Sequence, residues 1–410
     1  MTKFKLTKLE KNWILYDVGN SAFTLIVSTI IPIYFNYLAG LEGVSDSDYL
    51  AYWGYSASIA TLIVAFIGPT FGSIADNKGY KKPIFIVALV IGVVSCIALG
   101  HVSHWLVFLV VFIIAKVGYS SSLVFYDAML TDVTTEDRMD NVSSQGFAWG
   151  YIGSCIPFIV CLFLVQFGEG FGISMTMGMT LSFWIIALWW FLVTLPLLKS
   201  YKQVYYVEPT KNAVSASLGR LWTTLKQMKD NKKVFIFLLS FFFYIDGVYT
   251  IIDMATAYGA SLGLDTTQLL LALLLTQFVA FPFAIIFGRL AKKYSVEKLI
   301  MVCIAAYTGI ALFAVFLSQE IHFWILAVAV GMFQGGIQAL SRSYFAKIIP
   351  PEKSGEFFGL FDICGKGAAF IGTSMIAIVT QVTGQQNIAV GMLTILFAIG
   401  FVLFRKQAKM

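Results

Sequence analysis

Twelve long apolar runs set the terms for this chain. They lie at roughly 12–38, 50–75, 83–101, 105–130, 143–166, 176–198, 233–257, 266–291, 299–318, 322–346, 356–381 and 387–404. Each is close to the ~20 residues that cross a hydrocarbon slab of about 30 Å. A chain that is 59% hydrophobic and only 12% charged has too little polar surface to wrap a water-soluble globule. The ten-residue alternating segments of a membrane barrel are absent from the sequence. The expected fold is therefore an all-α membrane protein with twelve transmembrane helices.

Basic residues give the orientation, because they are retained on the cytoplasmic side of short loops. Of 28 Lys and Arg, 25 fall in the N-terminal tail, the even-numbered loops and the C-terminal tail, and the odd-numbered loops carry none. Both termini are expected in the cytoplasm. The same asymmetry accounts for the net charge of +6 with no nucleic-acid partner. Cys96, Cys155, Cys161, Cys303 and Cys364 all lie inside apolar runs, with no spacing suited to disulfides or zinc. No metal and no cofactor is expected, nor a cleavable leader.

The chain divides at a basic stretch. Eight Lys or Arg stand between Lys199 and Lys233, so the expected units are 1–198, a cytoplasmic linker at 199–232, and 233–410. Within the linker, Leu218, Leu221, Trp222 and Leu225 recur at helical spacing and suggest an amphipathic helix at the membrane surface. The halves resemble each other: "GSIADNKGYKK" (72–82) returns as "GRLAKKYSVEK" (288–298), 216 positions on, and "TEDRMDN" matches "PEKSGEF" at nearly the same offset. Two pseudo-symmetric six-helix halves are the economical reading. Repeats of this kind meet at a midplane cavity that opens to either side in turn.

Gly72, Ala75, Asp76, Gly79, Lys81 and Lys82 resemble the signature that follows the second helix in the major facilitator superfamily. The resemblance implies that Asp76 takes a hydrogen bond or ion pair from the opposite half. In the second copy Lys292 replaces this Asp, which puts an equivalent lock in doubt. "YDVGNSAFTLIVSTIIPIYF", "DGVYTI" and "GGIQALSRS" are more specific. Together they resemble the vacuole-effluxer-like branch, which is related to the autophagy-associated vacuolar amino-acid exporters of fungi and has many bacterial members. That resemblance covers the whole chain and implies export of small molecules, with amino acids as the best-supported class. The short chain without long insertions points to a bacterial plasma membrane; the expected partners are lipid, a small-molecule substrate and protons, with the chain acting as a monomer.

The polar residues inside the spans are the candidates for function, since a charge at the bilayer centre costs about 2.5 kcal/mol or more unless it faces water or a partner. At ~1.5 Å per residue, Lys116, Asp246 and Lys366 lie roughly 14–18 Å from their interfaces. The two lysines are candidates to receive a carboxylate, and Asp246 to carry a proton. Asp362 and Lys366, one helical turn apart, can instead neutralise each other. Asp17, Asp127, Arg342 and Asp362 form an inner layer and, with Asp76, are candidates for a cytoplasmic gate. Asp253 approaches the outer boundary. Asn20 either extends the polar stripe above Asp17 or joins helices. Gln334 and Gln338 either bind a polar substrate or pack. The stretches "GFAWGYIG" and "GMFQG" bring helices close.

"GKGAAFIG" (365–372) lacks the strand–loop–helix context of a phosphate loop, which disfavours an ATP-driven pump. Nothing in the sequence reads as a channel filter. The expected function is secondary active transport of a small polar or zwitterionic, amino-acid-like solute by alternating access, with proton-coupled export. The alternatives are an exporter of drugs or organic anions and an intramembrane lipid-modifying enzyme. The enzyme would need a nucleophile and base at one depth, whereas His101, His104 and His322 are all peripheral.

Overall fold

A computed structural model describes residues 4–209, 213–228, 230–261, 266–317 and 319–410. Lys3, Lys211 and Lys229, counted above among the basic residues, lie outside this set. The helices are α1 (Lys8–Ser28), α2 (Ile30–Leu41), α3 (Asp46–Ala75), α4 (Lys81–Leu99), α5 (Trp105–Ala128), α6 (Leu130–Val133), α7 (Met139–Phe167) and α8 (Met175–Ser200). After them come α9 (Ala213–Gln227), α10 (Lys232–Ser261), α11 (Thr266–Leu290), α12 (Val296–Val315), α13 (Glu320–Ile348), α14 (Ser354–Thr383), α15 (Gln386–Gly391) and α16 (Leu393–Gln407). Among the described residues, eleven helices are long and apolar enough to span, and α1 with α2, bent by 41°, makes a twelfth span.

That bend has a local cause. Pro32 has no N–H to give to Ser28, and its ring crowds the preceding turn. The Thr29 hydroxyl meanwhile donates to the Leu25 carbonyl at 2.5 Å, a side-chain bond that competes with the helical ladder. The first span therefore breaks at Thr29, whose φ of −127° lies outside the helical range.

Packing repeats across the two six-helix halves. In the first, α1 packs on α7 and α8, and α5 on α3 and α4; in the second, α10 packs on α14 and α16, and α13 on α11 and α12. The halves meet along two seams, α3 against α14 and α7 against α11. Small residues make the seams possible. A Cβ on Gly72 would collide with the Gly355 carbonyl, and one on Gly359 would stand 2.5 Å from the Gly68 carbonyl carbon. Gly146 and Gly150 do the same service between α7 and α1, where a Cβ at 146 would run into the Asp17 carboxylate.

The amphipathic helix α9 lies against α3. Leu221 and Ser217 are buried, whereas Leu218, Trp222 and Leu225 are exposed. The Ser73 hydroxyl donates to the Ser217 carbonyl at 2.9 Å, and Arg220 donates to the Ser73 carbonyl at 2.7 Å.

Candidate functional site

Contacts between the halves gather toward the membrane face that carries both chain ends, called here the terminal face. At the centre is Arg342 of α13, only 3% exposed. A buried guanidinium must have its five donors answered. One nitrogen meets Asp127 at 2.9 Å and another meets Asp17 at 3.2 Å. The Ser143 hydroxyl and carbonyl of α7 accept at 2.9 and 3.1 Å. Trp13 and Phe147 present ring faces to it at 4.7 and 4.3 Å. Tyr126 donates to Asp17 at 2.8 Å. One C-terminal-half cation thus ties together α1, α5 and α7 of the other half.

The α3–α14 seam is closed by a different device. Asp76 caps α3 and accepts from the backbone N–H groups of Gly355 and Glu356 at 2.7 and 2.9 Å. These amides open α14, so the carboxylate sits on the positive end of a helix. Burial pushes the Asp76 carboxyl up to about 7, while Lys81 and the two amides pull the other way. Lys81 is itself fully buried, pairing with Asp132 at 3.0 Å and donating to Ser354 of the opposite half at 2.9 Å. Arg220 of α9 stands 3.7 Å from Glu356, so the linker helix touches both sides of this seam.

On the α7–α11 side, Asn141 donates to the Gly288 carbonyl at 3.3 Å. Nearby, Lys347 and Ser343 of α13 meet Asp140 at 2.6 and 2.8 Å. Tyr151 donates to Gln338 at 2.8 Å, so Gln338 pairs across the interface.

The midplane differs from the expectation in one respect: Lys116, Asp246 and Lys366 do not form a trio. Asp246 is fully buried between α10 and α14, and its partners are the Gly372 N–H at 2.9 and 3.1 Å and the Thr250 hydroxyl at 3.2 Å, not a lysine. Depth along a helix fixes height but not azimuth, and Asp246 points into its own half. Lys366 pairs with Asp362 at 2.5 Å and reaches the Ser120 carbonyl of the other half at 3.4 Å. Asp362 therefore sits with Lys366, not with Arg342. Lys116 is within electrostatic reach of both Lys366 and Asp253 of the opposite half. Asp253 is exposed, and Lys116 is the cation within its electrostatic reach.

Two further residues also depart from the stripe that sequence suggested. Asn20 is buried and donates to the Tyr16 carbonyl of its own helix at 2.9 Å, so it ties down a turn and does not line the cavity. Gln334 borders a largely apolar pocket of about 80 Å³ within the C-terminal half, together with Thr250, Met254, Thr276 and Gln277. The residues that depth reasoning passed over are Ser143, Asp140 and Glu356. The last two were within reach, since they occupy matching places in the repeated "TEDRMDN" and "PEKSGEF". Among the described residues no cluster of His, Cys, Asp or Glu is suited to a metal ion.

The geometry is that of a two-half bundle locked at one face. The family model described as "Vacuole effluxer Atg22 like" matches residues 46–406. The chain belongs to this family. It is 44% identical to the uncharacterized MFS-type transporter YxiO of Bacillus subtilis, an alignment covering 97% of this chain and 94% of the relative. It is 25% identical to autophagy-related protein 22 of Saccharomyces cerevisiae, over 93% and 89% of the two chains. The solved Escherichia coli fucose:proton symporter superimposes with a TM-score of 0.71 at 16% identity, covering 98% of this chain and 97% of the other, which shows the major facilitator fold. This Atg22-like protein is a multi-pass transporter of that superfamily. Its kinship sets aside the reading as a lipid-modifying enzyme.

Proposed function

We propose that this Atg22-like protein moves a small polar or zwitterionic solute of amino-acid type by alternating access, coupled to protons and directed out of the cell. The observation that carries this reading is the contrast between two layers. At the terminal face, charges of the two halves are buried and paired. Deeper along the spans, Lys116 and Lys366 of opposite halves are half-buried, Asp253 is exposed, and Lys116 lies within electrostatic reach of both. Charges that stay partly exposed within the spans of a membrane protein normally face a wet cavity or the path of something that enters it. Two ammonium groups and one carboxylate suit a solute bearing both signs.

The basic residues of the tails and even-numbered loops support a cytoplasmic terminal face. The bacterial relative supports a plasma membrane. The chain works as a monomer in this reading, since each half completes the other's cavity wall.

Lys116→Ala or Lys366→Ala is expected to raise the KM for a carboxylate-bearing solute by roughly tenfold or more, the scale of a lost charge-assisted contact. Detergent-solubilised protein should remain folded. Unchanged uptake and exchange in both variants would leave Lys366 as a partner of Asp362 and nothing more.

Asp246 is assigned the coupling proton because it is buried with hydrogen bonds but no cation. Asp246→Asn is expected to abolish accumulation driven by a pH gradient while substrate exchange continues, because exchange needs the rocking motion without net proton release. Normal gradient-driven accumulation in that variant would move the proton to Asp127, which shares Arg342 with a second carboxylate.

A further inference from the structure

The two seams repeat in sequence but not in charge. Asp76 meets the positive N-terminus of α14. Lys292 occupies the matching position 216 residues later, one turn beyond Gly288, whose carbonyl accepts from Asn141 in the first turn of α7. A cation is disfavoured there by the helix dipole. Lys292 has found another partner: its ammonium stands 4.2 Å from the ring centroid of Phe4, in the N-terminal tail. The same ring is approached at 4.4 Å by the guanidinium of Arg138, on the N-terminal half.

We propose that Phe4 is the staple of the second seam, a positioning residue that holds the terminal side shut by accepting one cation from each half. The ring is not placed there loosely. Arg138 is gripped by both oxygens of Glu10, each at 2.7 Å, and donates to the Lys5 carbonyl at 2.8 Å. Glu10 is held in turn by Thr134 at 2.7 Å and by the capping box with Thr7. The tail thus hangs from the N-terminal half, and Phe4 reaches Lys292 on the loop after α11. When α7 and α11 part, Arg138 keeps the ring and Lys292 leaves it. The contact is then made only in the closed state, as a gate contact must be. This role rests on alternating access but on no particular substrate.

The test uses spin labels at Glu136 and Lys293, exposed positions on either side of the seam, in the full-length protein without substrate. An exposed cation–π contact contributes about 0.5–1 kcal/mol, so Phe4→Ala is expected to raise the ratio of long to short distances roughly two- to fivefold. Phe4→Trp should keep the parent distribution, while Phe4→Leu should behave as Phe4→Ala. Lys292→Met should match Phe4→Ala, and the double variant should shift no further. Parent-like distances in Phe4→Ala, full retention by Phe4→Leu, or simply additive shifts would overturn the staple. Because the distances need no transported solute, absence of transport in the parent would count against the proposed function and leave this result standing.

Discussion

An Arg342→Met protein is expected to lose transport and to rest with its terminal face open. The substitution keeps apolar bulk against Trp13 and Phe147 but takes the guanidinium from Asp17, Asp127 and the Ser143 carbonyl, leaving Asp17 with the Tyr126 hydroxyl and no cation. Removing one member of a buried ion pair costs about 3–5 kcal/mol. That penalty falls on the closed state, because on opening the carboxylates regain water. A shift of this size changes the closed-to-open ratio by roughly two to nearly four orders of magnitude. Spin labels at the exposed positions Lys78 and Glu352, one on each half, should move to a single long distance. Asp17→Asn keeps Asp127 on the guanidinium and should shift the balance in the same direction by less. A closed Arg342→Met protein would mean that the hydrogen bonds of Asp76 suffice and that the Arg342 cluster is not a gate.

Gly359→Leu is expected to have an effect of similar size through sterics alone. The Cβ at 359 would lie 2.5 Å from the Gly68 carbonyl carbon and the Pro69 nitrogen, which are backbone atoms with no rotamer to change. Overpacking of this kind typically costs 1–3 kcal/mol, and more for so large a side chain. The α3–α14 seam must part, so the closed state is lost while each half keeps its own core. The expected readout is a well-folded protein in detergent, labels at Lys78 and Glu352 far apart, and no turnover. Normal turnover would mean that this seam need not close during transport. A protein that unfolds in detergent would mean that the seam contributes to global stability and is not confined to gating.

What could be read from sequence was mostly one-dimensional. Twelve apolar runs, the repeat at 216 positions and the gathering of Asp17, Asp127 and Arg342 at one depth all follow from distances along the chain. The meeting of Arg342 with Asp17 and Asp127 was legible because groups that pair must share a height, whereas Asp362, assigned to the same layer, pairs with Lys366. The grouping of Asp246 with Lys116 and Lys366 failed for the same reason: its height is right, but it points toward Gly372 in its own half. Asn20 was ambiguous because an amide can satisfy itself on its own helix, as it does on Tyr16. Ser143 gave no signal, since a serine in an apolar run usually bonds within its helix, and only packing brings it to Arg342. The reassignment of Lys292 to Phe4 depends on a tail whose path no periodicity dictates.

The central claim is that a solute enters the charged space between the halves and is released on the other side. Counterflow in proteoliposomes tests it most directly. Purified protein is reconstituted with millimolar unlabelled amino acid inside, trace labelled solute is added outside, and a panel of amino acids and small peptides is compared. The account predicts a transient, saturable overshoot of label for at least one zwitterionic solute, abolished by Gly359→Leu, which cannot close. Flux that rises linearly with concentration and survives that substitution, or an overshoot confined to apolar drugs, would contradict it.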